Sequence, residues 1–225
     1  MISESLRDRL VSAFADQMAA RATQFAQLVP APGRVVFLGD SITEGGLWHE
    51  WFPDLPLINR GIGGNTIDDV LARLDTAIVA PAAVFLLIGT NDIDTGIAEL
   101  EAFARGPRRS AGQTAERMRH LVTAIRERAP HTALFIQSVM PRQAVLADVL
   151  RTLNADYRLI ASEAEATYVD LWPALADDAG GLRSEFTLDS LHLNGAGYAA
   201  WVQVLRPYVA GLEAVRGSTG VEATV

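Results

Sequence analysis

Five short apolar runs rich in β-formers constrain this chain more than any other feature: "RVVFLG" from Arg34, "PLINRG" from Pro56, "AAVFLLIG" from Ala82, "TALFIQSV" from Thr132 and "ATYVDLW" from Ala166. They lack the strict apolar–polar alternation of a sheet with one wet face. Helical stretches separate most of them. Residues 66–79 carry Val70, Leu71, Leu74 and Ile78 on one face, and residues 113–128 carry Met118, Leu121, Val122 and Ile125. Residues 146–164 and 198–212 form two more such stretches. Strands alternating with helices predict an α/β fold with a parallel sheet covered on both faces. Ligands of such folds bind beyond the carboxyl ends of the strands.

Ahead of the first run, Leu10, Phe14, Met18 and Phe25 recur at near-helical spacing, with Arg7, Asp8, Asp16 and Arg21 on the other side. This predicts an amphipathic helix within residues 1–30, ended by Pro30, Pro32 and Gly33. Packing against its own domain is favoured over a homo-oligomer contact. Charges at Glu4, Arg7, Asp8, Arg9, Asp16 and Arg21 interrupt the apolar stretch a signal peptide needs, so the expectation is a cytoplasmic protein. No run approaches the roughly 20 apolar residues of a membrane span. With 225 residues, 49% of them hydrophobic, the chain can bury one full core. The expected organisation is a single domain over residues 1–225, with its core at 34–212 and a flexible tail at 216–225.

A formal net charge of -8 argues against nucleic acid or an anionic membrane as partner and favours a small substrate. The absence of cysteine removes disulfides, thiolate metal sites and a thiol nucleophile. All nineteen basic residues are arginine, which removes Schiff-base chemistry and Ser-Lys dyads.

The segments after the first three runs are "GDSITEGG", "NRGIGGNT" and "GTNDID", so three polar, Gly-bearing loops converge at one sheet edge. The first contains Ser41. Ser41 and Glu44 form the S-x-x-E pattern of a capping box, which would make the serine a helix start and nothing more. A nucleophilic serine requires a base, an orienting acid and oxyanion donors, and the chain contains candidates for each. Of four histidines, His120 lies in a helical stretch and His131 just before the fourth run, positions typical of the surface. His49 in "LWHEWF" is a weaker candidate than His192, which follows Asp189 by three residues in "DSLHLNGAGY". An acid so placed can accept the Nδ1 proton and aim Nε2 at the serine. Donors are available from the Ser41 N–H at a helix start, from a backbone N–H near Gly63 and Gly64, and from the Asn91 amide. Each has a plain structural alternative as a cap or a turn.

The blocks "GDSIT", "GIGGN", "GTND" and "DSLHLNGAGY" resemble, in order and in strand context, those of the SGNH or GDSL-like hydrolases. The resemblance extends over residues 34–212. It implies a flavodoxin-like three-layer αβα sandwich around a five-stranded parallel sheet, and an esterase needing neither metal nor cofactor. Carried over by position, it makes Ser41 the nucleophile, His192 the base and Asp189 the orienting acid, with Ser41, Gly64 and Asn91 donating to the oxyanion. "NRGIGGNTIDDVLARL" is similar to platelet-activating-factor acetylhydrolase-like and bacterial acetylesterase members, implying short acyl groups and a small ester substrate. Thioesterases and lysophospholipases of the same family are alternatives. The segment 94–112, with a short helix and a basic "RGPRR" turn, matches no family block; covering the site, where it would help shape the acyl pocket, and a plain solvated excursion are equally open readings.

Two other classes compete. A flavodoxin-like binding module is disfavoured because "GIGGNT" is not a full G-x-G-x-x-G and no Walker motif exists. A metal site on Asp189 and His192 has too few further histidines. The α/β-hydrolase elbow G-x-S-x-G is also missing, since Thr43 stands in place of its second glycine.

Overall fold

The computed structural model describes residues 4–97 and 107–219. The short helix expected within the 94–112 segment falls on residues outside these, as do the last six residues of the expected tail.

Each of the five apolar runs is a strand: β1 Val35–Gly39, β2 Leu57–Gly61, β3 Ala83–Leu87, β4 Ala133–Gln137 and β5 Thr167–Val169. All pairings are parallel, in the order β2-β1-β3-β4-β5. That is the flavodoxin-like order, whose topological switch lies between β1 and β3. The helices are α1 Glu4–Gln27, α2 Ser41–Glu44, α3 Trp48–Trp51, α4 Ile67–Ala72, α5 Ala111–Arg128, α6 Ala147–Glu163, α7 Trp172–Leu175 and α8 Gly195–Thr219.

Side chains of a strand alternate between faces, and here both faces are apolar. Val36, Leu38, Val84, Leu86 and Ile136 pack with α4, α5 and α6 in one core. Val35, Phe37, Phe85, Leu87 and Phe135 pack with α2, α3, α7 and α8 in the other. Register puts Phe37 beside Phe85 and Phe85 beside Phe135, and their rings stack at 4.9 and 4.3 Å between centroids. A buried phenylalanine is worth about 3–5 kcal/mol against alanine, so this ladder pins the centre of the sheet.

Two helices differ from expectation. The stretch 66–79 is helical only to Ala72, after which its bonds tighten to i→i+3, with Arg73 N–H on the Val70 carbonyl at 3.2 Å. The last helix begins earlier than residue 198, because the Asn194 side chain accepts from the N–H groups of Ala196 and Gly197 at 3.0 and 3.1 Å. It runs to Thr219, so part of the segment expected as tail is helical. Among the described residues no helix is long and apolar enough to cross a membrane.

The N-terminal helix packs on its own chain. Phe25 is buried, with the guanidinium groups of Arg60 and Arg21 over its ring at 4.5 and 5.1 Å. One turn earlier in the same helix, Arg21 Nε donates to the Gly61 carbonyl at 2.7 Å, at the carboxyl end of β2.

Candidate active site

The chain leaves β1 at Gly39 and turns at once into α2, so Ser41 stands at the carboxyl edge of the central strand. The helix begins there because of Asp40. Its carboxylate accepts from Ile42 N–H at 3.0 Å, which makes Asp40 the N-cap and Ser41 the first helical residue. The capping-box reading of Ser41 with Glu44 is therefore corrected. A side chain at the first helical position is free of capping duty, while its N–H has no intrahelical acceptor. Burial pushes the fully enclosed Asp40 carboxyl up to about 6 against the hydrogen bond from Ile42.

Ser41 and His192 are 151 residues apart in the chain, yet Ser41 Oγ lies 2.9 Å from His192 Nε2. On the other side of the ring, Nδ1 is 2.7 Å from Asp189 Oδ2. The second oxygen of Asp189 accepts from the backbone N–H groups of His192 and Leu191, at 2.7 and 3.0 Å. Burial of Asp189 opposes its ionisation, but the His192 ring and these two N–H groups outweigh it and hold the carboxyl down at about 2. The turn is closed by Ser190 at φ 60, a left-handed conformation unusual for a residue with a side chain. Thr187 locks it from below, its hydroxyl donating to the His192 carbonyl at 2.7 Å. The arrangement can deprotonate a serine hydroxyl and hold the resulting imidazolium.

Asn91 and Gly64 come from the loops after β3 and β2. One amide hydrogen of Asn91 is spent on the Asn65 carbonyl at 2.9 Å, which fixes the side chain and leaves the other for a ligand. Gly64 has φ +68, and an added Cβ would meet the Phe14 ring at 2.9 Å, so the position requires glycine twice over. Gly61 is equally constrained, because α2 rides so close that a Cβ there would lie 2.2 Å from Glu44 N. Asp92, beside Asn91, is fully buried. It accepts from Ile67 N–H through both oxygens, at 3.1 and 3.2 Å, and from Arg109 at 2.9 Å. Burial nevertheless pushes its carboxyl up to about 7.

The other histidines stay apart from this group. His49 is exposed on α3 near Glu50, His120 pairs with Glu116 on α5, and His131 is exposed before β4. Among the described residues no group of three or more His, Cys, Asp or Glu side chains could hold a metal ion.

Sequence reasoning missed four residues around the site. Glu44 accepts from Gly63 N–H at 2.6 Å and pairs with Arg21 of α1 at 3.0 Å, so it joins α1, α2 and the Gly63–Gly64 turn. Arg108, from the "RGPRR" turn, donates through Nη1 to the Asn91 carbonyl, and Arg142 does so to the Thr90 carbonyl at 3.3 Å. The only sequence signal was the basic turn itself, which is silent about its target.

The model of the GDSL-like Lipase/Acylhydrolase family matches residues 37–200. The bovine platelet-activating factor acetylhydrolase IB subunit alpha1 is 27% identical over 179 residues, covering 73% of this chain and 69% of the relative. The rat subunit alpha2 is 26% identical over 177 residues, covering 73% and 71%. Among solved structures, a protein of Streptococcus pneumonia provisionally assigned as a platelet activating factor superposes with a TM-score of 0.77 at 26% identity, covering 92% of this chain and 99% of the other. A mutant of an acetylxylan esterase from Geobacillus stearothermophilus shares the fold, with a TM-score of 0.62 at 20% identity and coverage of 79% and 94%.

Proposed function

We propose, given that the chain belongs to the GDSL-like lipase/acylhydrolase family, that it is a serine esterase cleaving short-acyl esters, acetyl esters above all, through an acyl-enzyme. Carboxylic ester hydrolysis is the property of the family and of its esterase neighbours. The observation that carries the finer reading is the Ser41–His192–Asp189 chain of contacts at 2.9 and 2.7 Å.

In this reading Ser41 Oγ attacks the ester carbonyl as His192 Nε2 takes its proton. Negative charge gathers on the carbonyl oxygen, where the N–H groups of Ser41 and Gly64 and the amide of Asn91 receive it. The bond to the leaving alkoxide then breaks, and His192 returns the proton to that oxygen. Water, deprotonated by the same imidazole, frees the acid and restores Ser41. The preference for acetyl rests on the acetylhydrolase relatives and is tested by an acyl-length series of p-nitrophenyl esters. Rates should be highest for acetate and fall as the acyl chain lengthens. A preference for chains of about ten carbons or more would overturn the short-acyl reading, and preference for thioesters over matched oxygen esters would favour a thioesterase.

Glu44 is a positioning residue in this scheme, since it holds the N–H of Gly63, the neighbour of Gly64. Losing that hold should lower kcat by about 10- to 100-fold, the usual cost of misplacing a catalytic donor. Glu44→Ala should show this loss with KM little changed. Glu44→Gln, which keeps an acceptor for Gly63, should recover most of the rate. Equal losses in both variants, or an effect confined to KM, would remove Glu44 from this role.

A further inference from the structure

Most hydrogen-bonded arginines of the described residues are of two kinds. Arg21, Arg109, Arg117, Arg119, Arg128 and Arg158 pair with carboxylates. The carbonyl-bound ones, Arg60, Arg73 and Arg126, each bring two or more nitrogens to their acceptors. Arg183 gives its one bond from Nε, to the Ala176 carbonyl; Arg108 and Arg142 are different again. Each engages only through Nη1, and each has an enclosed Nε with no hydrogen-bond partner. Neither has a carboxylate within ion-pair distance among the described residues.

Their placement is as telling as their lack of partners. They grip the carbonyls of consecutive residues, Thr90 and Asn91, in the loop that carries the Asn91 amide. Arg142 is 8% exposed. Burial and then the charge of Arg108 depress the Arg142 guanidinium, while Asp40 and Asp189 act in the opposite direction, so Arg142 lies within electrostatic reach of both Arg108 and Asp189. A buried cation with a second guanidinium acting on it is costly unless an anion joins them. Against a chain of net charge -8, such a pair is also the local attraction an anionic substrate would need.

We propose that Arg108 and Arg142 form a subsite for an anionic group, a carboxylate or a phosphate, carried by the ester substrate at the Asn91 side of the site. This rests on the esterase reading and narrows its substrate class. Guanidinium groups bind carboxylate and phosphate oxygens through short charge-assisted hydrogen bonds, and with each Nη1 fixed on the loop and each Nε enclosed, Nη2 is left for the substrate.

Two matched pairs of esters separate the sources of charge. Monoethyl succinate against ethyl butyrate places a carboxylate on the acyl side, and 1-acetylglycerol 3-phosphate against 1-acetylglycerol places a phosphate on the leaving group. Acid release at constant pH reads all four. In at least one pair the anionic ester should have a kcat/KM about tenfold or more above its neutral partner, with the ratio falling as salt is added. Arg108→Gln and Arg142→Gln should each collapse that ratio toward one. Arg142 is interior and its variant can fail to fold, in which case Arg108→Gln, at a more exposed position, decides the matter. A wild-type ratio near one in both pairs, with neutral esters hydrolysed, overturns the subsite and leaves the esterase reading intact. Failure to hydrolyse any of these esters or p-nitrophenyl acetate overturns both.

Discussion

Ser41→Ala is expected to lower kcat for p-nitrophenyl acetate by about 10⁴-fold or more, and to abolish covalent labelling by a fluorophosphonate. The expectation follows from the 2.9 Å contact with His192 Nε2, which loses its proton donor when the hydroxyl is removed. The geometry adds a second readout. Because Asp40 supplies the N-cap, Ser41 owes nothing to the start of α2, and the alanine variant should keep its melting temperature. A true N-cap replaced by alanine costs about 1 kcal/mol. A variant that unfolds early, or one that still turns over ester and takes up the label, would contradict the assignment.

Asp189→Asn should be nearly as damaging, with kcat reduced by about 10⁴-fold near neutral pH. Oδ1 is held by the N–H groups of His192 and Leu191, so the asparagine carbonyl would take its place and turn the amide NH₂ toward His192 Nδ1. The ring would then carry its proton on Nε2 and could no longer accept one from Ser41. In the unaltered protein the Asp189 carboxyl is depressed to about 2. Its stabilising contribution is therefore present above the ordinary carboxylate range and is lost only as pH falls through about 2. Loss of activity on mild acidification is then no titration of Asp189. An Asp189→Asn variant retaining more than a tenth of the parent kcat would show that the acid does not set the tautomer.

Much of this was legible in the residues themselves. The five runs became the five strands, since continuous apolar runs between helical stretches have few other ways to hide both faces. Ser41, Gly64 and Asn91 could be picked out because they stand in loops that the strand order must bring to one edge, whereas Asp189 and His192 were marked by their three-residue spacing and by the family resemblance. Asp40 was missed as a cap because the S-x-x-E spacing offered a pattern one residue later, and only the backbone decides which residue turns first. Glu44, Arg21, Arg108 and Arg142 were illegible for a different reason. Long polar side chains reach targets set by tertiary distance, as Arg142 does across 52 residues to Thr90, and no local spacing encodes that reach. The early end of α4 belongs with them, since Arg73 leaves the helix where its guanidinium is bound to Asn65 and to the Gly39 carbonyl.

The contact of Arg21 with Glu44 has a practical consequence for anyone shortening the chain. The family model begins at residue 37, and a version trimmed to it would retain Ser41, His192 and Asp189 in full. It would nevertheless discard the cation that faces Glu44, the ring that covers Gly64 and the Arg21 bond to the Gly61 carbonyl. The leading helix is thus not a detachable handle: a minimal catalyst designed on this scaffold has to start before Phe14.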